Sequence, residues 1–146
     1  MKTSSIRFIA AAATLAASAS AFAVAVGQSA PAFSTVDTAG KTVSLADFKG
    51  KVVVLEWVNP GCPFVRKHYE SGHMPATQKS ALAQGAVWLA INSTHTGSGD
   101  YLQPAALAAW IKDKGGAPSA TLMDANGKIG RAYGARTTPH MYVIDA

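Results

Sequence analysis

Lys51-Val52-Val53-Val54-Leu55-Glu56-Trp57-Val58 is a near-continuous apolar run, and Asn59-Pro60-Gly61-Cys62-Pro63 breaks it. A run rich in β-branched residues with no polar alternation is what a central strand buried on both faces looks like. Asn59-Pro60-Gly61 ends that strand, and proline is tolerated in a first helical turn, so Cys62-Pro63 opens a helix predicted to reach Tyr69. Cys62 therefore falls at the carboxyl end of the strongest strand, where α/β sheets place their reactive groups. It also faces the unpaired N–H groups and the positive end of a helix dipole.

Upstream, Thr35-Val36-Asp37-Thr38 ends a short strand that begins at Ala32. It enters the turn Ala39-Gly40-Lys41, and Thr42–Leu45 returns as the second arm of a hairpin. Asp47-Phe48-Lys49-Gly50 reads as one helical turn. Downstream, Ser71-Gly72-His73 interrupts the helix, and Met74–Gln84 resumes it before the apolar strand Val87–Asn92. Gln103–Lys114 places Leu107, Trp110 and Ile111 on one helical face, with Gly115-Gly116 as the stop. A short strand at Ala120–Met123, a short helix at Lys128–Tyr133 and a third apolar strand at His140–Ile144 follow. This order predicts an α/β fold, a mostly parallel sheet joined by right-handed crossovers.

The first 23 residues read differently. Lys2 and Arg7 precede an alanine-rich apolar run, and Ala21-Phe22-Ala23 closes a small-residue stretch. This is the layout of a secretory signal peptide, and the run is about half the ~20 residues that a spanning helix needs. An uncleaved anchoring helix is the alternative. Cleavage after Ala23 leaves residues 24–146, enough for one compact domain, with 11 Lys and Arg against 8 Asp and Glu. The basic residues are scattered rather than striped, so no nucleic-acid partner is expected. Nor is a stable membrane anchor expected after signal cleavage. An exported chain with a single cysteine cannot be stapled by an internal disulfide, and a thiol kept in an oxidising compartment is a candidate for use.

A thiol at a helix N-terminus is favoured as thiolate, the reactive form. Arg66, Lys67 and His68 add positive field. Glu56 interrupts the apolar run where a carboxylate must be at least partly buried. Its pKa is expected to rise, which suits proton exchange with the thiol, although a structural ion pair with Lys51 or an arginine is an equal reading. Thr137-Thr138-Pro139 precedes a strand, and local sequence alone favours a trans bond there. Trp57, Trp88 and Trp110 read as core, while Tyr69 and Tyr133 are possible neighbours of the site and the loop 92–101 is a plausible rim. Cys62, His68, His73, Met74, His140 and Met141 are soft or borderline ligands, but their spacing matches no metal motif, so neither metal nor other cofactor is expected.

Leu45-Ala46-Asp47-Phe48-Lys49-Gly50-Lys51-Val52-Val53-Val54-Leu55, Asn59-Pro60-Gly61-Cys62-Pro63-Phe64-Val65 and Thr138-Pro139 before a strand together resemble the redoxin branch of the thioredoxin-like superfamily. That branch includes proteins similar to alkyl hydroperoxide reductase and thiol-specific antioxidant. The resemblance implies a thioredoxin fold with an N-terminal β-hairpin and Cys62 as the attacking thiol. It also implies a cis Thr138–Pro139 bond, with Pro63, Thr138 and Pro139 as a substrate-docking surface. Glu56 would manage the thiol proton, and Arg66 would stabilise developing charge. Three departures qualify this. Val65 stands where thioredoxins carry a second cysteine. Asn59 and Leu55 stand where typical peroxiredoxins carry threonine and proline. Relatives also continue beyond the equivalent of Ala146 through a strand and a helix, so the domain is expected to be C-terminally truncated and less stable for it.

The resulting expectation is a periplasmic or secreted thiol-dependent oxidoreductase, peroxiredoxin-like and antioxidant. It would act on a peroxide or disulfide and be resolved by an external thiol or a thioredoxin-like reductant. The competing expectations are a non-catalytic interaction module on the same scaffold and a copper-handling protein.

Overall fold

The computed structural model describes residues 24–146; the signal peptide expected over residues 1–23 lies outside them. The buried run of the opening stretch forms the second strand from one edge of a four-stranded sheet. In chain order the strands are β1 (Ser34–Val36), β2 (Thr42–Ser44), β3 (Val53–Trp57), β4 (Val87–Asn92), β5 (Ala120–Met123) and β6 (His140–Ile144). The helices are α1 (Pro63–Glu70), α2 (His73–Ala83), α3 (Pro104–Asp113) and α4 (Lys128–Tyr133), with a 3-10 turn at Leu45–Phe48. Strands β1 and β2 form the expected antiparallel hairpin, and the main sheet runs β5-β4-β3-β6. Among the described residues no helix is long and apolar enough to cross a membrane.

β3 pairs in parallel with β4, and β4 with β5, as the βαβ reading requires. β6 departs from an all-parallel sheet, because it lies antiparallel to β3, with Trp57 opposite His140 and Val53 opposite Ile144. The connection explains the reversal. Six-residue α4 spans only about 9 Å, so it does not return the chain to the far end of the sheet. β6 therefore starts beside the carboxyl end of β3.

Alternation along β3 divides the interior in two. Val53, Leu55 and Trp57 face a core completed by Val43, Leu89, Ile91, Leu122, Ile129 and Tyr133. Trp57, Tyr133 and Tyr142 interlock there at ring distances of 5.4–5.6 Å. Tyr133 thus lies within this core rather than flanking the site. Its hydroxyl donates to the Pro31 carbonyl at 2.7 Å, and burial pushes its pKa up to about 12. On the opposite face, Val58, Val65, Tyr69, Ala90, Leu107, Ile111 and Met123 pack together under α1 and α3. Trp57 and Trp88 are buried, and Trp110 packs against Tyr69 at 5.0 Å, in keeping with their reading as core.

Candidate active site

Asn59 folds the turn that presents the thiol. Its side-chain oxygen accepts from Gly61 N at 2.9 Å, and its main-chain oxygen accepts from Cys62 N at 2.9 Å. Gly61 has a steric reason to be glycine, because a Cβ there would overlap the Asp100 carboxylate from the loop after β4. Cys62 is the N-cap of α1, with Pro63 in the first turn, and Arg66 N closes that turn onto the Cys62 carbonyl at 3.1 Å. Cys62 is partly exposed.

The Thr138–Pro139 bond is cis, as the resemblance implied and local sequence did not. Thr138 meets the thiol, with Cys62 Sγ donating to its main-chain oxygen at 3.0 Å. Burial opposes ionisation of Cys62, but it is outweighed by the Thr138 side chain, the backbone N–H groups of Val65 and Phe64, and the Arg66 charge. The thiol pKa is therefore held below the ordinary cysteine value. Of the three basic residues that follow Cys62, Arg66 is the one whose charge reaches the sulfur.

Glu56 is fully buried on the α1 side of the sheet, and its partners are neither the thiol nor a cation. Tyr69 Oη donates to Oε1 at 2.9 Å, while Gln78 Nε2 (3.0 Å) and Trp88 Nε1 (2.8 Å) donate to Oε2. Among the described residues the ion pair expected as an alternative is absent; three neutral donors stand in its place. Burial raises the Glu56 pKa against the pull of these three hydrogen bonds. The Tyr69 pKa is raised in turn, by burial first and then by the neighbouring Glu56 carboxylate. Gln78 Nε2 also donates to Tyr69 Oη at 3.0 Å, and its Oε1 accepts from Ala117 N at 2.9 Å.

Five of the six expected site residues (Cys62, Pro63, Arg66, Thr138 and Pro139) thus gather at one end of the sheet. Glu56 sits deeper and reaches α1 through Tyr69. Sequence reading did not find Gln78, which lies in a helix without amphipathic pattern. Trp88 reads as plain core in sequence, because nothing local shows where an indole N–H points. No group of three or more His, Cys, Asp or Glu residues that could hold a metal occurs among the described residues.

The AhpC/TSA family model matches residues 26–146. The chain belongs to the AhpC/TSA family. It is similar to a Geobacillus kaustophilus protein of uncharacterised function, at 26% identity and a TM-score of 0.71, covering 82% of this chain and 62% of that one. It therefore spans less than two thirds of that relative's length. A putative thioredoxin of Neisseria meningitidis is 30% identical with a TM-score of 0.60, covering 79% of this chain and 71% of the other. The exposed lipoprotein thioredoxin Etrx1 of Streptococcus pneumoniae is 26% identical with a TM-score of 0.62, covering 79% and 82%. Thiol-disulfide oxidoreductases at 20–24% identity share the fold. No curated protein matches the chain.

Proposed function

We propose that this AhpC/TSA-family chain is an exported thiol-dependent oxidoreductase that works through Cys62 alone. The observation that carries the reading is Cys62, partly exposed at the start of α1, its thiol held toward the thiolate and set against the cis-proline turn. The thiolate attacks one atom of a peroxide or disulfide bond. With a peroxide, sulfur takes one oxygen as sulfenic acid and the other leaves as water or alcohol; with a disulfide, a mixed disulfide forms and a thiolate departs. Val65 stands where a second cysteine would lie and Cys62 is the single cysteine of the chain, so no other thiol in this motif can complete the cycle. An external thiol, from a small molecule or a thioredoxin-like reductant, resolves Cys62.

In this reading Pro63, Thr138 and Pro139 form the docking surface, Arg66 steadies negative charge, and Glu56 acts through Tyr69 as a positioning residue. Secreted and surface-exposed relatives of the same fold support export. The test is to treat the protein with hydrogen peroxide or 2-hydroxyethyl disulfide, identify the Cys62 product by mass spectrometry, and then add a thiol. A sulfenic acid or mixed disulfide that the thiol returns to free Cys62 supports the reading. A Cys62 inert to both oxidants contradicts it.

A further inference from the structure

A cavity of about 490 Å³ opens on segments that flank the thiol, with Cys62 itself outside its lining. Its walls are the carboxyl end of β3 and the turn after it (Trp57, Val58, Asn59), the segment after β4 (including His95 and Ser98) and the strand-entry segment that carries Arg136. Two of these walls hold the cysteine directly: the Thr138 main-chain oxygen accepts from Sγ, and the Asn59 main-chain oxygen accepts from Cys62 N. Through Asn59 and Thr138 the cavity is one contact away from Cys62, within reach of a group bonded to its sulfur. The volume is that of a small-molecule site and far exceeds what hydrogen peroxide fills.

The lining is rich in donors and holds no carboxylate. Arg136 is exposed, and among the described residues no acid lies within ion-pairing distance of it. His95 Nδ1 accepts from Gly97 N at 3.0 Å, so a neutral His95 carries its proton on Nε2 and presents a donor there. Two acids lie nearby. Asp124 is buried and committed, since its carboxylate accepts from Ser93 Oγ (2.6 Å), Ile129 N (3.1 Å) and Gly130 N (2.9 Å). Asp100 lies against Gly61 and is not part of the lining. The cavity itself therefore favours an anion.

Resting on the thiol-oxidoreductase reading, we infer that this cavity receives the carboxylate-bearing arm of a small organic disulfide, with Arg136 pairing the carboxylate. Cys62 thiolate attacks the nearer sulfur, so a Cys62–sulfur bond forms, the substrate S–S bond breaks, and the outer half leaves as a thiolate carrying the electron pair. A second carboxylate-bearing thiolate then attacks the mixed disulfide, becomes oxidised to disulfide and releases Cys62 thiolate. Arg suits this role because its planar donors match a carboxylate and it stays charged at every relevant pH.

Two measurements separate this inference from the reading beneath it. The first needs no chemistry at sulfur: amide shifts of the Cys62→Ser protein are followed on adding 3-(methylsulfanyl)propanoate or its neutral alcohol analogue. Saturable shifts at Asn59, His95 and Arg136 with the anion, weaker by roughly fivefold with the alcohol and equalised in Arg136→Gln, are expected for one surface charge pair. Equal binding of both probes, binding of neither, or a preference that survives Arg136→Gln overturns the assignment. The second compares rates of Cys62 with 3,3′-dithiodipropionate and 2-hydroxyethyl disulfide, each divided by the rate of a free model thiol. The ratio should favour the anion, fall as salt rises and approach one in Arg136→Gln. A Cys62 that reacts with both disulfides at an unchanged ratio overturns the cavity assignment alone. A Cys62 that reacts with neither disulfide, and is inert to hydrogen peroxide as well, overturns the oxidoreductase reading; one that reacts with neither disulfide but with peroxide overturns the disulfide step proposed here, and the binding measurement still decides the cavity.

Discussion

Cys62 Sγ donates to the main-chain oxygen of Thr138 at 3.0 Å, a contact between residues 76 apart in sequence. It gives Thr138 two opposed roles. The carbonyl holds the proton of the neutral thiol, whereas the side chain helps to hold the thiol pKa down. The second effect, together with the helix amides and Arg66, prevails over burial.

Thr138→Val removes the hydroxyl and keeps the carbonyl, so it should raise the Cys62 pKa. Arg66→Gln should shift it in the same direction, and because Arg66 is exposed, its share should fade as salt rises. Iodoacetamide alkylation rates across a pH series check both. A Thr138→Val profile that coincides with wild type would remove the side chain from the account.

The buried acid sets a pH dependence of stability. Glu56 has its folded pKa raised above the ordinary 4.5, so its stabilising contribution is fully present below the unfolded value. That contribution is lost as pH rises through the folded value. Relative to Glu56→Gln, whose amide does not titrate, wild type should lose stability as pH climbs from about 4.5. Urea midpoints of the two proteins against pH give the comparison. A difference that is constant across that range would contradict the assigned burial.

Gln78 ties α2 to this carboxyl group through Nε2 and accepts from Ala117 N through Oε1, so Gln78→Leu leaves the buried Glu56 Oε2 without one of its donors and the Ala117 N–H without its protein acceptor. A loss of about 1–3 kcal/mol is expected from the buried Glu56 and Tyr69 oxygens left without their Gln78 donor. Chemical denaturation at pH 7 measures it. A cost under about 0.5 kcal/mol would mean that the network carries little stability.

How the chain displays its fold differs from how it displays its site. Val53–Trp57 and Val87–Asn92 are legible as strands because every residue is buried, and a near-continuous apolar run is how such burial is written. Gly40, at φ +81°, marks the β1–β2 turn in the same direct way. The antiparallel seating of β6 was not legible, since an apolar run gives no strand direction. Cys62, Pro63 and Arg66 announce themselves by adjacency. Thr138 and Pro139 needed the family pattern, because local sequence favoured trans. The partners of Glu56 come from α1, α2 and β4, and no local signal joins Tyr69, Gln78 and Trp88 to it.

Val65 marks the position of the missing second thiol, buried in the first turn of α1. Val65→Cys should create a dithiol that closes an internal disulfide under mild oxidant, at a modest cost in packing. Counting free thiols before and after oxidation, with alkylation and mass spectrometry, shows whether both are consumed within one chain. If both thiols remain free, the first turn of α1 is not built for dithiol chemistry.

The most direct test of the central claim is the ionisation of Cys62 itself. Its alkylation rate is measured against pH, with Cys62→Ser as the blank. The account predicts a midpoint below the ordinary cysteine value of about 8.5, so the thiol stays reactive where a free cysteine is protonated. A midpoint at or above that value would contradict the thiolate site and leave a scaffold with an unreactive sulfur.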